Sequence, residues 1–237
     1  LVKVKYSSLN YKDGLSFYGN KGVSTNYPHT PGIDAVGKVE SSNTSNIKIG
    51  TKVIVSGYDL GMNTAGGFGG YIRVPQKWIS ILPEGLSSLD SMIIGTAGLT
   101  AGLCVNSIEL LNHIAGSKAI VTGATGGVGC IAVKLLSKLG AEVTAITGKN
   151  SSEGFLRSLG ASRIMIRDQF ISTVKKPMGK AIWDIAIDVA GGNLLSGLIA
   201  SMKYDGVVTC CGLVDTPKFD TTVFPFILRG ISLVGID

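Results

Sequence analysis

At 237 residues, with 45% hydrophobic and 16% charged side chains, the chain is too apolar and too weakly charged for disorder, and it is long enough for two modest domains. Its formal charge of +6 comes from Lys and Arg scattered along the sequence rather than gathered on one helix. That pattern argues against nucleic-acid binding, and a phosphate-bearing ligand accounts for the excess better. Cys104, Cys130, Cys210 and Cys211 lie in apolar segments without C-x-x-C spacing, which argues against a structural zinc or a disulfide framework. They read as buried free thiols in a reducing cytoplasm. The longest apolar stretch, from Met92 to Val105, is interrupted by Gly95, Gly98 and Gly102 and reads as too short for a bilayer, so no membrane segment is expected. The chain starts at Leu1 in mid-strand without a methionine, which leaves an upstream targeting signal open.

In chain order, Val2, Val4 and Tyr6 alternate with Lys3, Lys5 and Ser7, the period-two pattern of a strand with one wet face. Further short strands are expected at Ile33–Glu40, Lys52–Ser56, Tyr71–Pro75 and Trp78–Leu82, set apart by Gly, Pro, Asn and Ser turns. Together they read as a small all-β module, a barrel. The glycine-rich run Ala65–Gly70 reads as a turn. The pattern changes between Pro83 and Ser88, where Ser87 and Asp90 form a helix-capping signature. This places the domain boundary at Ser88, with one domain over 1–88 and a second over 89–237. The small-residue segment Gly95–Gly102 suits close helix packing or a place beside a cofactor.

The second domain centres on Val121-Thr122-Gly123-Ala124-Thr125-Gly126-Gly127-Val128-Gly129. A β-prone run, Ala119 to Val121, precedes the glycines. After them Val128, Ile131, Ala132, Leu135, Leu136 and Leu139 recur at helical spacing, and Glu142–Thr147 is a second apolar strand. A glycine turn in a complete βαβ unit reads as a dinucleotide site: the bare backbone admits a diphosphate to the first helical turn, where unpaired N–H groups and the helix dipole favour an anion. Position 147 begins Thr147-Gly148-Lys149-Asn150, with no Asp or Glu for the ribose hydroxyls of NAD and with Lys149 available to a 2′-phosphate. NADPH is therefore the expected cofactor. Downstream the alternation continues with a helix near Ser152–Leu159, a strand at Arg163–Ile166, a strand within Ala181–Val189, a helix near Leu194–Met202, and strands at Gly206–Cys211 and Ile231–Gly235. This is an α/β doubly wound parallel sheet.

The segments Ser7–Asp13, Pro31-Gly32-Ile33-Asp34, Met92–Ala101, Val121–Gly129, Leu159–Arg163 and Pro225–Gly230 together resemble the zinc-independent quinone oxidoreductase group of YhdH and YhfP type, within the medium-chain dehydrogenase/reductase superfamily, a group that includes acryloyl-CoA reductases. The resemblance covers nearly the whole chain. It implies a GroES-like catalytic module followed by a Rossmann domain, with NADPH bound in the cleft between them. By this resemblance Tyr11 lies near the nicotinamide, Thr125, Gly126, Gly127 and Val128 hold the diphosphate, and Thr147, Gly148 and Lys149 hold the 2′-phosphate. Thr100, Val189 and Leu233 are carried over as further cofactor contacts, and Arg167 as a group at the adenine end. Family members also begin before the first strand and continue past the last, so the chain reads as a fragment.

The expected reaction is a hydride transfer to an α,β-unsaturated carbonyl, a quinone or an enoyl thioester, without zinc. Tyr11 or water would be the proton source. With only His29 and His113 in the chain, a Ser-His-Asp system or a histidine metal site has little material. A short-chain dehydrogenase would need a Tyr-x-x-x-Lys pair downstream of its glycine motif, and none exists. An NADPH-binding regulatory or structural protein without turnover is the alternative. The expected partners are the small-molecule acceptor and a second copy of the chain in a homodimer.

Overall fold

The computed structural model describes every residue of the chain except 44 and 175. The chain divides into two compact units, Leu1–Leu99 and Thr100–Asp237.

In the first unit, β1 (Val2–Tyr6), β2 (Asp34–Val39), β3 (Lys52–Ser56), β4 (Tyr71–Ile72) and β5 (Ile79–Ile81) form an antiparallel sheet in the order β4-β1-β2-β3-β5. The alternation in β1 holds at its start and fails at its end: Val2 is buried between its cross-strand partners Val39 and Ile72 and Lys3 and Lys5 face water, but Tyr6, expected on the buried face, is exposed past a register shift after Val4. Val2, Ala35, Val39, Val53, Val55, Leu60 and Ile72 make the core. The expected strands at Tyr71–Pro75 and Trp78–Leu82 shrink to two and three residues. Pro75 has no N–H for a ladder, and a 3₁₀ turn, Gln76–Trp78, follows it and stacks the Trp78 ring on Tyr58 at 5.3 Å. The unit is also not all-β. A helix, α1 (Tyr11–Phe17), stands between β1 and β2. Its seven residues are too few to show a periodic pattern, and its start is written only in the Asn10/Asp13 capping box.

Helix α2 (Ser88–Glu109) begins at the expected cap, where the Asp90 N–H donates to Ser87 Oγ at 3.0 Å and the Ser87 hydroxyl donates to Asp90 Oδ2 at 2.6 Å. Gly95, at φ 51° and ψ −163°, breaks its helical geometry. The apolar stretch expected to be too short for a bilayer lies within a 22-residue helix that is long and apolar enough by composition to cross one, because the helix runs past that stretch at both ends, from Ser88 and to Glu109. The division between the compact units falls within α2.

In the second unit, β6 (Lys118–Val121), α3 (Gly127–Lys138), β7 (Glu142–Thr147), α4 (Glu153–Ser158), β8 (Arg163–Ile166), α5 (Arg167–Thr173), β9 (Trp183–Asp188), α6 (Gly192–Ser201), β10 (Met202–Cys210), α7 (Phe224–Arg229) and β11 (Ser232–Gly235) follow in turn. The strands form one parallel sheet in the order β11-β10-β9-β6-β7-β8. Its central strands are buried on both faces. Val121, Ile185 and Ile187 pack with Ala132 and Leu136 of α3, while Ile120, Ala186 and Val208 pack with Leu195 and Leu198 of α6. That two-sided burial is why these strands read as continuous apolar runs. Of the cysteines expected to be buried, only Cys104 is; Cys130, Cys210 and Cys211 are half-buried, because Cys130 sits in the first turn of α3 and the other two where β10 leaves the sheet.

Candidate functional site

Two regions gather the residues singled out by the sequence, one in each unit. In the second unit the strand order reverses at β6 and β9, the place where ligands bind outside the strand ends of open α/β sheets. The turn after β6 is built by glycine. Gly123 has φ 56°, and a Cβ on Gly129 would meet the Gly123 carbonyl oxygen and come within 2.8 Å of Ala124 Cα, so α3 must pass this turn without side chains. The Ala124 N–H donates to the Ile146 carbonyl at 3.1 Å and the Gly126 N–H to the Gly123 carbonyl at 2.8 Å. Helix α3 begins at Gly127 with Gly126 as N-cap and no side-chain cap; the Gly126 N–H is taken by Gly123, which leaves the first-turn N–H groups of Gly127 and Val128, next to Thr125, without a side-chain acceptor. Twelve residues of aligned peptide dipoles stand behind them.

A buried polar network fixes this turn to its neighbour. The Thr122 hydroxyl donates to Asp188 Oδ1 at 2.7 Å, the Val189 N–H donates to Thr122 Oγ1 at 2.9 Å, and the Gly191 N–H donates to Asp188 Oδ2 at 2.8 Å. Burial pushes the Asp188 carboxyl above the ordinary carboxylate range, and the bonds from Thr122, Gly191 and Ala190 offset only part of that. Val189 is held beside the glycine turn, 3.5 Å from where a Gly123 Cβ would stand.

At the end of β7, Thr147 is buried and its Oγ1 accepts the Lys149 N–H at 3.0 Å, while Gly148 and Lys149 face solvent. Arg167 opens α5 directly after β8, whose Ile166 pairs with Thr147. Its guanidinium lies 3.6 Å from the position of a Gly148 Cβ. Lys149 and Arg167 thus present two cations at one strand end, and among the described residues the ion pair of Arg167 is a long, exposed contact to Asp168 at 3.8 Å. Thr125 to Val128, Val189, Thr147 to Lys149 and Arg167 all lie on the carboxyl-terminal side of the parallel strands. Leu233 does not join them: it is on the margin strand β11, in mid-strand register with Val208, and packs against the core cluster to which Val208 belongs. Thr100 is half-buried on α2, next to core residue Ala101.

In the first unit Tyr11 is the first residue of α1 and 60% exposed. Beneath it two carboxylates are buried. Asp13 accepts the Asn10 N–H at 2.8 Å on Oδ2, and the N–H groups of Gly32 and Ile33 at 3.1 and 2.9 Å on Oδ1. Its carboxyl is pushed up by burial, against the lowering effect of those three bonds. Asp34 accepts the Asn10 side-chain amide and the Thr96 N–H, each at 2.9 Å, on Oδ2, and the Thr96 hydroxyl at 2.7 Å on Oδ1. Sequence reasoning missed these partners of Asp13, Asp34 and Asp188. The available signal was an acid inside an apolar run, such as Asp34 before Ala35-Val36 and Asp188 after Ile187. His29 pairs with Ser16 at 2.8 Å, but Ser16 is fully buried and is not presented as a nucleophile.

Residues 1–84 match the alcohol dehydrogenase GroES-like domain and residues 127–237 match the zinc-binding dehydrogenase domain. The probable acrylyl-CoA reductase AcuI of Escherichia coli (strain K12) is 43% identical over all of this chain, which spans 72% of that protein. The yhdH oxidoreductase of Salmonella enterica, solved in complex with NADP, superposes with a TM-score of 0.94 at 44% identity, over 100% of this chain and 72% of its own. The yhfP protein of Bacillus subtilis, solved with NAD bound, gives 0.94 at 42% identity over the same shares. The second domain's name implies zinc, and the donors present do not fit it. Among the described residues no group of three His, Cys, Asp or Glu comes together, and the oxygens of Asp34 are taken up by an amide, a hydroxyl and a backbone N–H.

Proposed function

Because the chain belongs to the YhdH/YhfP group of the medium-chain dehydrogenase/reductase superfamily, and is an oxidoreductase, we propose that it reduces the activated double bond of an acryloyl-CoA-like enoyl thioester or a quinone at the expense of NADPH. The observation that carries the cofactor choice is the pair of cations, Lys149 and Arg167, at a β7 end that holds no acid from Thr147 to Ser152. A 2′-phosphate suits that end, whereas ribose hydroxyls would call for a carboxylate acceptor. The acceptor class is supported by the E. coli relative named as an acrylyl-CoA reductase.

The residues present fit a dinucleotide. Backbone N–H groups of Thr125, Gly127 and Val128 would take the diphosphate beside the bare Gly126 cap, and Lys149 and Arg167 the 2′-phosphate. The bound NADPH would supply a hydride to the β-carbon of the acceptor. The chain's part is then to position and to stabilise charge. Val189 and the glycine turn stay fixed because Thr122 and Asp188 tie β6 to β9. The Tyr11 hydroxyl would donate to the acceptor oxygen on which negative charge develops, and the α-carbon of an enoyl thioester would then take its proton from Tyr11 or from water. The donor set at Asn10 and Asp34 does not fit zinc, and no step is assigned to a metal.

Two measurements test the proposal: titration of NADPH and NADH, and loss of 340 nm absorbance with acryloyl-CoA, quinones and simple aldehydes as acceptors. Tighter NADPH binding with turnover of acryloyl-CoA or a quinone is expected. Equal affinities would defeat the cofactor assignment, and binding without consumption would defeat the enzymatic one.

A further inference from the structure

Three segments far apart in sequence converge on the two buried carboxylates of the first unit. Asp34 reaches back 24 residues to Asn10 and forward 62 residues to Thr96. Asp13 and Asp34 are 2% and 0% exposed, and neither takes part in an ion pair among the described residues. A carboxylate buried without a cation is a costly way to fill space, since apolar side chains of the same volume would pack there without needing to be satisfied. The geometry it enforces is specific. The Ser7 hydroxyl donates to the Asp34 carbonyl at 2.6 Å, and the Ser8 hydroxyl to the Met92 carbonyl at 2.7 Å. Asn10 is held twice, by its N–H on Asp13 and by its amide on Asp34. What these bonds leave outside is Leu9 and Tyr11, 83% and 60% exposed.

The break in α2 serves the same point. A Cβ on Gly95 would come within 2.5 Å of Ser8 Oγ and 3.0 Å of Asp34 Oδ2, and the left-handed φ of this residue turns the Thr96 N–H and hydroxyl onto Asp34.

We infer that Asp34 is a positioning residue for the reduction: acting through the Asn10 side chain, it fixes the backbone from which the Tyr11 phenol is presented. This rests on the reading of Tyr11 as the donor to the acceptor oxygen. Asp34 itself touches neither acceptor nor cofactor. Its negative charge is not what matters, because an amide oxygen at the same place would also accept from Asn10.

The test is a set of variants in the full chain, read for kcat, KM, NADPH affinity and Tm. Asp34→Ala is expected to lower kcat with acryloyl-CoA about tenfold, a part of the roughly 10²–10⁴-fold that a positioned general acid contributes, with NADPH affinity unchanged. Asp34→Asn, which keeps an acceptor for the Asn10 amide, is expected to stay within about threefold of the unmutated protein. Asn10→Ala removes the arm between Asp34 and the Tyr11 segment while leaving the Thr96 bonds, and serves if Asp34→Ala does not fold; it is expected to lower kcat as Asp34→Ala does. In a Tyr11→Phe background either change is expected to lower kcat less than about twofold further, because the group being positioned is already gone. Three results would overturn the inference alone: Asn10→Ala lowering Tm with kcat intact, its loss multiplying in full with that of Tyr11→Phe, or Asp34→Asn being as inactive as Asp34→Ala. A Tyr11→Phe variant with unchanged kcat would instead overturn the donor reading, and this inference with it.

Discussion

Asp188 and Asp34 are both fully buried carboxylates that accept from a threonine hydroxyl, Asp188 adding backbone N–H groups and Asp34 one backbone N–H and the Asn10 amide, yet they are built in opposite ways. Asp188 closes a strand and draws its partners from its own next turn and from the adjacent strand end: Thr122, Ala190 and Gly191. The parallel ladder already holds β6 beside β9, so the carboxylate trims a shape that the sheet has fixed. Asp34 opens β2 and binds Asn10 and Thr96, which no ladder places together. The proposed cofactor region is thus preformed by topology, whereas the Tyr11 region depends on a few side-chain bonds. Damage in the second unit should therefore appear as lost cofactor affinity, and damage in the first as lost turnover at unchanged affinity.

The largest expected effect is in the second unit. Gly129→Val would drive a branched side chain into the Gly123 and Ala124 backbone, with an expected destabilisation of about 3 kcal/mol and loss of detectable NADPH binding, measured by urea unfolding and fluorescence titration. A variant that binds NADPH normally would show that the turn is not the diphosphate site. Next comes Thr122→Val, which removes the hydroxyl joining Asp188 to Val189 and leaves a buried acceptor short of a donor; about 2 kcal/mol of stability should go, with a parallel loss of affinity. An affinity loss without a stability loss would mean that Thr122 touches the cofactor instead. Lys149→Asp comes third, expected to weaken NADPH binding by about 1–2 kcal/mol while leaving NADH binding little changed. An equal effect on both cofactors would remove the 2′-phosphate from this strand end.

The smallest effect concerns pH. Burial raises the Asp188 pKa in the folded state, so folding favours the protonated carboxyl. Its contribution to stability is full below the unfolded-state value of about 3.9 and is lost as pH rises through the folded value. Asp188→Asn should accordingly show a flatter decline in stability above about pH 4, measured by urea unfolding at several pH values. An unaltered slope would assign the pH dependence to other carboxylates, Asp13 first among them.

Much of the second unit was legible because its information is local. Strand, glycine turn, helix and next strand lie within Lys118–Thr147, and two-sided burial writes itself as unbroken runs such as Ile185-Ala186-Ile187. The same reading missed α1, α5 and α7, helices of six or seven residues, although it found α4, which has six. Arg167 could be carried over from a family resemblance, but that it lies against Gly148 follows only from the pairing of β7 with β8. The grip on Asn10 was illegible for a different reason. Hydrogen bonds spanning 24 residues to Asn10 and 62 to Thr96 leave no periodic trace, and Asp34 resembles any polar residue at the mouth of a strand until Gly95 and Thr96 are seen beside it.

The central claim is that hydride passes from NADPH to the β-carbon of an enoyl thioester. It is tested most directly by running the reaction with NADPH deuterated at the transferred position and acryloyl-CoA, then locating the label in the product by NMR. Deuterium on the β-carbon of propionyl-CoA is the expected result. Deuterium on the carbonyl carbon of an alcohol or aldehyde product, or NADPH left unconsumed by a protein that binds it, would contradict the account.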